Sequence, residues 1–307
     1  MSSKKVISII TPYYKGEKTI FKTIDSVFKA YKKVENDYAL QYIVVIDSME
    51  DKEKISASLK KIYGEKLIII KNEKNIGVAD SRNNAAKVAN GEYMLFLDQD
   101  DNLGEEYFKA VKEEINKGAD LIVTNGYICN ESSGKKTPLY YIPPTLDKKT
   151  LLRANKISTP GQVLFSKRIG KMENLFAGCS AEFKGADDWA AYVNIYIKFP
   201  NLKVSYVKDR VFYYNLHGNN YSNNWQELNQ SAIETSKYFI DKVDEAEKKI
   251  LNKRIRILEF ENEYLDHKSF KYKLQHIGDI IDYYTFHLVY INRIIGILHK
   301  KSIGFYK

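Results

Sequence analysis

The chain has 307 residues, a formal net charge of +9, 44% hydrophobic residues and only two cysteines. This apolar content is enough for a sizeable core, so we exclude a largely disordered chain. Cys129 and Cys179 are far apart in the sequence, which excludes a disulfide framework and gives no zinc-site spacing. The net positive charge favours an anionic partner. The chain carries no nucleic-acid-binding motif, so we expect no nucleic acid to bind.

The N-terminus has an apolar run that is too short for the core of a signal peptide. No apolar stretch reaches the roughly 18 residues that a membrane span needs. We therefore expect a cytoplasmic protein, either free or bound at the inner face of the cell membrane.

The first half of the chain alternates strand-like and helix-like segments. Apolar, β-branched runs predict strands at residues 6–11, 42–46, 67–70, 92–97 and 120–124. Apolar residues at helical spacing predict helices at about 17–31, 52–63, 78–89 and 105–117. This alternation predicts an α/β fold with a mostly parallel central sheet and helices on both faces. Ligands of such sheets bind at the carboxyl ends of the strands.

The second half of the chain changes character twice. Residues 130–225 are irregular, with several proline and glycine turns and polar aromatic stretches. Helical periodicity dominates from Gln226 onward. We therefore predict a first domain over residues 1–225 and a helical appendage over residues 226–307.

Three carboxylates follow the fourth predicted strand within four positions, at Asp98, Asp100 and Asp101. Like charges packed so closely repel one another and raise each other's pKa values. A divalent cation relieves this repulsion, because Mg²⁺ and similar ions bind carboxylate oxygens. The segment therefore indicates a site where Mg²⁺ or Mn²⁺ bridges to substrate phosphates. The alternative is a solvated acidic turn that precedes the next helix.

Four stretches of the first half resemble the family 2 inverting glycosyltransferases in order and spacing. These stretches are Ile9–Tyr14, Ile43–Ser48, Asn75–Asn83 and Gly91–Asp101. The resemblance is to the type that builds bacterial surface glycans. It implies a GT-A fold, which is Rossmann-like, together with a nucleotide-sugar donor and a divalent metal, Mn²⁺ or Mg²⁺. The nucleotide-sugar half would then span about residues 1–125 and the acceptor half about residues 126–225.

The resemblance also implies roles for residues in the nucleotide half. Thr11, Pro12 and Tyr14 would line the base and the ribose. Asp47 would accept a hydrogen bond from the base N–H, which favours uracil and hence a UDP-sugar donor. The residues expected to face the nucleotide and its diphosphate are Asn75 and Arg82, because a guanidinium group pairs well with phosphate oxygens.

The metal site implied by the resemblance combines the acidic segment with a histidine. Asp98 would contact the ribose or the metal, and Asp100 would be a metal ligand. His217 lies in a polar loop rich in glycine and asparagine, where it would complete the metal shell or contact the diphosphate. A purely structural histidine is the alternative.

A second acidic pair, Asp187-Asp188, is followed by Trp189. An inverting transfer needs a general base that removes the proton of the acceptor hydroxyl. The pair resembles the family's Glu-Asp-aromatic motif, which implies Asp188 as the base, with Asp187 in the glutamate position. Acids in the first turn of a helix are the alternative interpretation. Trp189 would either stack on an acceptor sugar or lie in the core.

The last 40 residues carry apolar residues at helical spacing flanked by lysines and arginines, from Ile277 to Leu298. Such a helix either lies in a membrane interface or packs against protein, including a second copy of the chain. Both alternatives stay open at this point.

The sequence thus favours a hexosyltransferase that moves a sugar from a UDP-sugar to a hydroxyl of a glycan or lipid-linked acceptor. Capsule, lipopolysaccharide or another surface polysaccharide would be the product. A sugar nucleotidyltransferase is less favoured, because residues 11–16 lack a glycine-rich basic phosphate loop. A nucleotide-sugar-binding protein without catalysis is the other alternative.

Overall fold

The computed structural model describes residues 4–176, 185–218, 224–264 and 270–287. The strands within these ranges are β1 Lys5–Tyr13, β2 Tyr38–Ile46, β3 Leu67–Lys71, β4 Tyr93–Phe96, β5 Asn102–Leu103, β6 Leu121–Asn130, β7 Lys136–Pro138, β8 Val163–Ser166 and β9 Val204–Leu216.

Helices connect the strands and continue after β9. They are α1 Ile20–Lys32, α2 Lys52–Tyr63, α3 Val78–Val88, α4 Tyr107–Asn116, α5 Lys148–Arg153, α6 Lys167–Gly170, α7 Asp187–Lys198, α8 Trp225–Phe239, α9 Glu245–Tyr264, α10 Phe270–Gln275 and α11 Ile277–His287. No helix in the described ranges is long and apolar enough to cross a membrane.

One sheet contains all nine described strands, in the order β3-β2-β1-β4-β8-β6-β9-β5, and β7 pairs with β6 beside this path. The strands β1 to β4 are parallel to one another, as are β6 and β9. The antiparallel strand β8 lies between β4 and β6 and makes the sheet mixed. The prediction of an α/β fold with helices after the sheet is confirmed.

All five strands and four helices predicted in the first half are present, with small shifts at their ends. Strand β1 continues through Pro12 to Tyr13, two residues beyond its predicted end. The parallel register with β4 stops at Ile10, so β1 pairs only with β2 at Pro12. A proline, which has no N–H to donate, is tolerated there because one side of the strand has no partner.

The strands β5, β7, β8 and β9 were not predicted. They lie after Asp101, where the sequence loses a regular period. Strand β9 is the longest of them with 13 residues, and its pairing with β6 contains register shifts around Asn125. Such irregularities interrupt the period-two alternation from which a strand is recognised.

The chain forms two compact units, each assembled from separate stretches. The sheet unit comprises residues 1–140, 157–176 and 201–217, and the helical unit comprises residues 141–156, 177–200 and 218–307. This division follows from which residues pack together. The predicted boundary at residue 225 concerns function, and it stays a prediction.

The helical unit has its own core around Trp189, which is 2% exposed. Its indole Nε1–H donates to the carbonyl oxygen of Leu151 at 2.7 Å, and the Arg254 guanidinium lies 4.2 Å from the ring centroid. The ring of Phe239 meets it edge-on at 6.0 Å. Trp189 therefore lies in the core, which is one of the two interpretations that the sequence allowed.

The helix α11 packs on α9 within the helical unit. Asp282 pairs with Lys253 at 2.7 Å and also with Arg256. Tyr283 packs against the buried pair Ala154 and Ile257. Ile277 and Ile281 are each 59% exposed. The later apolar positions of the predicted amphipathic helix, 288, 291, 294, 295 and 298, lie outside the described residues.

Candidate active site

The acidic segment forms a short loop between β4 and β5, at the carboxyl end of the parallel strands. Asn215 of β9 holds this loop in place. Its backbone N–H donates to Asp101 Oδ1 at 3.1 Å, and its side-chain Nδ2 donates to the Asp100 carbonyl oxygen at 2.6 Å. We call residues 98–101 the acidic loop.

Two carboxyl groups of the acidic loop are electrostatically unfavourable as anions. Burial raises the pKa of Asp101 well above its usual range, and the charges of Asp100 and Asp98 add to this effect. Burial and the charge of Asp98 also raise the pKa of Asp100, against an opposing effect from His217. A bound cation would reverse both effects.

The ligand types of a divalent metal site meet at Asp100 and His217. His217 Nε2 lies 3.0 Å from Asp100 Oδ2, and each side chain is about one-fifth exposed, at 21% and 22%. No group of three His, Cys, Asp or Glu side chains in the described part of the chain could hold a metal ion by itself. Mg²⁺ is commonly held by one or two carboxylates together with substrate phosphates, so a two-residue site fits such an ion.

Asp98, the third predicted metal residue, has other partners in this structure. Its Oδ1 pairs with the Arg82 guanidinium, and its Oδ2 accepts a hydrogen bond from the Thr159 hydroxyl at 3.0 Å. The Arg82 guanidinium also lies 5.1 Å from the ring centroid of Phe176. Asp98 and Arg82 are thus brought together in this structure.

The residues at the end of β1 lie next to the acidic loop. The backbone N–H and carbonyl oxygen of Tyr14 form two hydrogen bonds with the Gln99 amide, each 2.9 Å long. A Cβ atom at Gly16 would come within 2.2 Å of this amide, so a larger residue there would displace the Gln99 side chain from its two hydrogen bonds. Thr11 and Pro12 are buried, whereas the Tyr14 side chain is 48% exposed and accessible to a ligand.

Asp47 fixes the loop that precedes α3. Its Oδ1 accepts from the Asn72 amide at 2.8 Å and from the Ile76 N–H at 2.9 Å, and its Oδ2 accepts from the Gly77 N–H at 2.8 Å. Each carboxylate oxygen can accept two hydrogen bonds, so Oδ2 can still accept one from a base. Asn75 is exposed, and its Oδ1 accepts from the same Gly77 N–H at 3.1 Å.

The second acidic pair begins α7 in the helical unit. Asp188 Oδ2 accepts from the Asn155 amide at 3.2 Å, and Asp188 Oδ1 accepts from the Trp189 N–H at 2.6 Å. Asp187 and Asp188 are half-buried and lie in the first helical turn, where the helix dipole stabilises negative charge. The Asn155 amide and the Trp189 N–H thus bind the two oxygens of the Asp188 carboxylate.

Two contact residues of the acidic loop were not predicted, Thr159 and Asn215. They are 61 and 114 positions from the carboxylates that they contact. The sequence offered one signal for Asn215, namely its position two residues before His217, a predicted metal residue. Gln162, three residues after Thr159, is fully buried and donates to the Thr124 carbonyl oxygen and the Tyr140 hydroxyl, so it stabilises the interior of the sheet unit.

Comparison with known families decides the assignment of the chain. Residues 8–171, more than half of the sequence, match the model of the family described as Glycosyl transferase family 2. The chain belongs to glycosyl transferase family 2. The match includes most of β1, the Asp47 loop, Arg82 and the whole acidic loop.

Two bacterial glucosyltransferases are among the curated relatives of this chain. A poly(ribitol-phosphate) beta-glucosyltransferase of Bacillus spizizenii is 29% identical over 227 residues, which cover 68% of this chain and 32% of that protein. The Escherichia coli enzyme WfaP, a UDP-Glc:alpha-D-GlcNAc-diphosphoundecaprenol beta-1,3-glucosyltransferase, is 28% identical over 73% of this chain and 83% of its own length. The chain spans only about a third of the first relative.

Solved structures share the family 2 fold. Staphylococcus aureus TarS 1–349 in complex with UDP-GlcNAc aligns with a TM-score of 0.63 at 19% identity, over 90% of this chain and 80% of that one. The mannosyltransferase PcManGT of Pyrobaculum calidifontis, in complex with GDP-Man and Mn²⁺, gives 0.55 at 14% identity, over 96% and 76%. At these identities the likeness establishes the fold.

Proposed function

We propose that the protein transfers a sugar from a UDP-sugar to a hydroxyl group of a glycan or lipid-linked acceptor, with inversion and with a divalent metal. The observation that carries this proposal is the acidic loop. It brings together buried carboxyl groups whose pKa values are raised, at the strand ends where ligands of parallel sheets bind. A solvated acidic turn would leave its carboxyls in water, whereas Asp101 is 1% exposed.

The donor would bind along the strand ends of the sheet unit. Tyr14 offers an exposed ring, and Asp47 offers an acceptor for the N–H of uracil. The Arg82 guanidinium is 4% exposed and held by Asp98, so its orientation is fixed before a diphosphate arrives. A preorganised cation of this kind stabilises charge that develops on a leaving diphosphate.

Mn²⁺ or Mg²⁺ fits the pair Asp100 and His217, with the remaining ligands supplied by phosphate oxygens. When bound, the ion would neutralise charge on the departing diphosphate. Asp98 and Asp101 would add negative charge close to this ion without being required as ligands. The hydrogen bonds from Asn215 would keep the loop in one shape with and without the ion.

The acceptor step would use Asp188. The acceptor oxygen attacks the anomeric carbon while its proton passes to the Asp188 carboxylate, and the bond from that carbon to the diphosphate oxygen breaks. UDP then leaves with the bonding electrons. Asn155 donates to Asp188 Oδ2, which would help to orient this carboxylate toward the acceptor hydroxyl. Asp187 would assist by its charge.

The relatives suggest the class of acceptor. Their names describe transfer to poly(ribitol-phosphate) and to an undecaprenyl diphosphate-linked sugar. Both acceptors carry phosphate, which suits a chain with a net charge of +9. We propose an acceptor of this class for a surface glycan, met at the inner face of the membrane, with the C-terminal helices contacting lipid or a second copy.

The test compares two conservative variants. Asp188→Asn is expected to lower the turnover about 10²- to 10⁴-fold while UDP still binds, because a general base acts only on the acceptor. The matched control is Asp241→Asn in the helical unit, an exposed acid that is expected to change neither quantity. Transfer is followed by the release of UDP, and UDP binding by calorimetry with Mn²⁺ and with a chelator.

The outcomes separate the alternatives. Near-normal turnover in Asp188→Asn would show that another group is the base. UDP binding without transfer to any acceptor would favour a nucleotide-sugar-binding protein. Tight binding of a nucleoside triphosphate, with diphosphate released on adding a sugar phosphate, would favour the nucleotidyltransferase instead.

A further inference from the structure

The sheet unit contains a pocket of about 450 Å³ that none of the predicted nucleotide, metal or base residues lines. It is open to solvent and lies between α1, the residues that follow the acidic loop, and the strands β6, β7 and β9. Three of its lining residues are lysines, Lys22, Lys29 and Lys136.

Two of these lysines lie on one face of α1. Lys22 and Lys29 are seven positions apart, and Ser26 between them lines the same pocket, which is the spacing of neighbours on a single helix face. Neither lysine forms an ion pair with any residue in the described ranges. Both ammonium groups are exposed and available to a ligand.

The third lysine is held in place by two tyrosine rings. Lys136 Nζ lies 4.2 Å from the ring centroid of Tyr213 and 4.7 Å from that of Tyr127. The two rings are nearly parallel, with centroids 5.9 Å apart, because β6 and β9 pair in register there. Cation–π contacts restrict the lysine side chain, so less entropy is lost when an anion binds.

The acids that line the pocket already have partners. Glu105 pairs with Lys33 at 3.0 Å, and Asp25 accepts a hydrogen bond from the Tyr63 hydroxyl at 2.9 Å. The Tyr63 hydroxyl leaves the charge of Asp25 in place, so three lysines face two carboxylates and the lining keeps one unit of excess positive charge. This excess predicts an anionic ligand.

One side chain connects the pocket to the acidic loop. Asn215 lines the pocket, and its Nδ2 contacts both the Asp100 carbonyl oxygen at 2.6 Å and Asn102 Oδ1 at 2.7 Å. Asn102 lines the pocket as well and directly follows Asp101. A ligand in the pocket would therefore lie next to the loop that we place in the donor site.

We propose that this pocket binds a phosphate group of a phosphate-bearing glycan, which is the acceptor of the transferase. The acceptor role rests on the proposed function, whereas the binding of phosphate does not. A volume of about 450 Å³ holds a phosphate together with its attached polyol or sugar. Lysines suit phosphate as point charges, and the side-chain amide nitrogen of Asn102 suits a hydroxyl group. Nucleic acid is less suited, because base stacking needs open aromatic faces and Lys136 covers one face of both tyrosines.

The test is equilibrium binding of a fluorescent glycerol phosphate oligomer to the full chain, followed by fluorescence anisotropy at low salt. The double variant Lys22→Gln/Lys29→Gln is expected to weaken binding about tenfold, and Lys136→Gln several-fold, because each exposed charge pair that is lost weakens binding only a few-fold. The matched control, Lys18→Gln/Lys32→Gln, removes the same charge from exposed positions near and on α1 that do not line the pocket. It is expected to change binding less than twofold.

Several results would overturn the proposal. An equal loss in the control pair would show a general charge effect. Displacement of the oligomer by UDP would place it in the donor site, and equal binding of a neutral oligosaccharide or of an RNA of the same charge would remove the proposed selectivity. If the pocket variants weaken oligomer binding but no UDP binds with Mn²⁺, the proposed function fails and the phosphate pocket stands.

Discussion

Two buried aspartates at opposite ends of the same sheet differ in how the protein treats their charge. Asp120 precedes β6, level with the amino end of β4, and is 5% exposed. Asp101 follows the carboxyl end of β4 and is 1% exposed. The Arg168 guanidinium and the Lys203 N–H lower the pKa of Asp120, whereas burial and neighbouring carboxylates raise that of Asp101.

The difference separates a structural carboxylate from a functional one. Asp120 accepts two hydrogen bonds of 2.5 Å from Arg168 and one of 2.9 Å from the Lys203 N–H. These donors compensate its charge and tie β6, β8 and β9 together at their ends. From the described residues, Asp101 receives one backbone N–H and a hydroxyl that Thr159 shares with Asp98. Burying a charge without full compensation costs stability, so its presence favours a ligand that supplies the compensation.

The largest expected effect is on ligand binding, which should depend on the end of the sheet that carries the acidic loop and not on the end that carries Asp120. Asp100→Asn is expected to weaken Mn²⁺-dependent binding of UDP about 100-fold, because it removes one of two protein ligands. Asp120→Asn is expected to leave this affinity unchanged in the folded protein. Calorimetric titration of both variants, with Mn²⁺ and with a chelator, measures the contrast. Equal affinities for the two variants would contradict our placement of the metal.

The second prediction concerns the stability of the Asp120 end. Asp120→Asn is expected to lower the free energy of unfolding by about 2 kcal/mol at pH 7, because a charged acceptor of several donors is lost. The folded pKa of Asp120 is depressed, so its contribution is present above the unfolded value near 3.9 and is lost as the pH falls through the folded pKa.

Urea unfolding of the wild type and Asp120→Asn at pH 7 and at pH 3 measures this dependence. The difference between the two proteins should shrink at the lower pH. Arg168→Gln is the matched partner variant, and the double variant should cost less than the sum of both single changes. Additive losses would show that the two side chains do not stabilise each other.

The smallest expected effect is a gain in the free energy of unfolding rather than a loss. Asp101→Asn is expected to raise the free energy of unfolding by about 1 kcal/mol at neutral pH in the presence of a chelator, because it removes a poorly compensated buried carboxylate. The folded pKa of Asp101 is raised, so the cost of its charge grows as the pH rises from the unfolded pKa through the folded one. Asparagine keeps an acceptor for the Asn215 N–H.

Urea unfolding at pH 7 and pH 4, with chelator, measures this gain, which should be smaller at pH 4. A loss of stability in Asp101→Asn comparable to that of Asp120→Asn would mean that the protein alone compensates both carboxylates. The comparison from which we infer a cation at the acidic loop would then fail.

The sequence by itself determined the elements of the first half and the acidic loop. Five strands and four helices of that half follow from local periodicity, and the chain-order motifs from Ile9 to Asp101 predicted the family. These signals are local, because they depend on residues within one turn of a helix or along one strand. The roles assigned to Asp47, Arg82, Asp98, Asp100, Asp188 and His217 stay predictions that the variants above can test.

Only the tertiary structure decided which side chains meet. It inserted the antiparallel β8 beside β4, paired Asp98 with Arg82 and Thr159, and placed Asn215 against the acidic loop. It also gathered the lysines of α1 and β7 around one pocket. Contacts between residues 60 to 115 positions apart leave no period in the sequence, because they depend on strand order and on irregular register. Local patterns therefore predicted the groups of the site, and long-range pairing determined which of them act on each other.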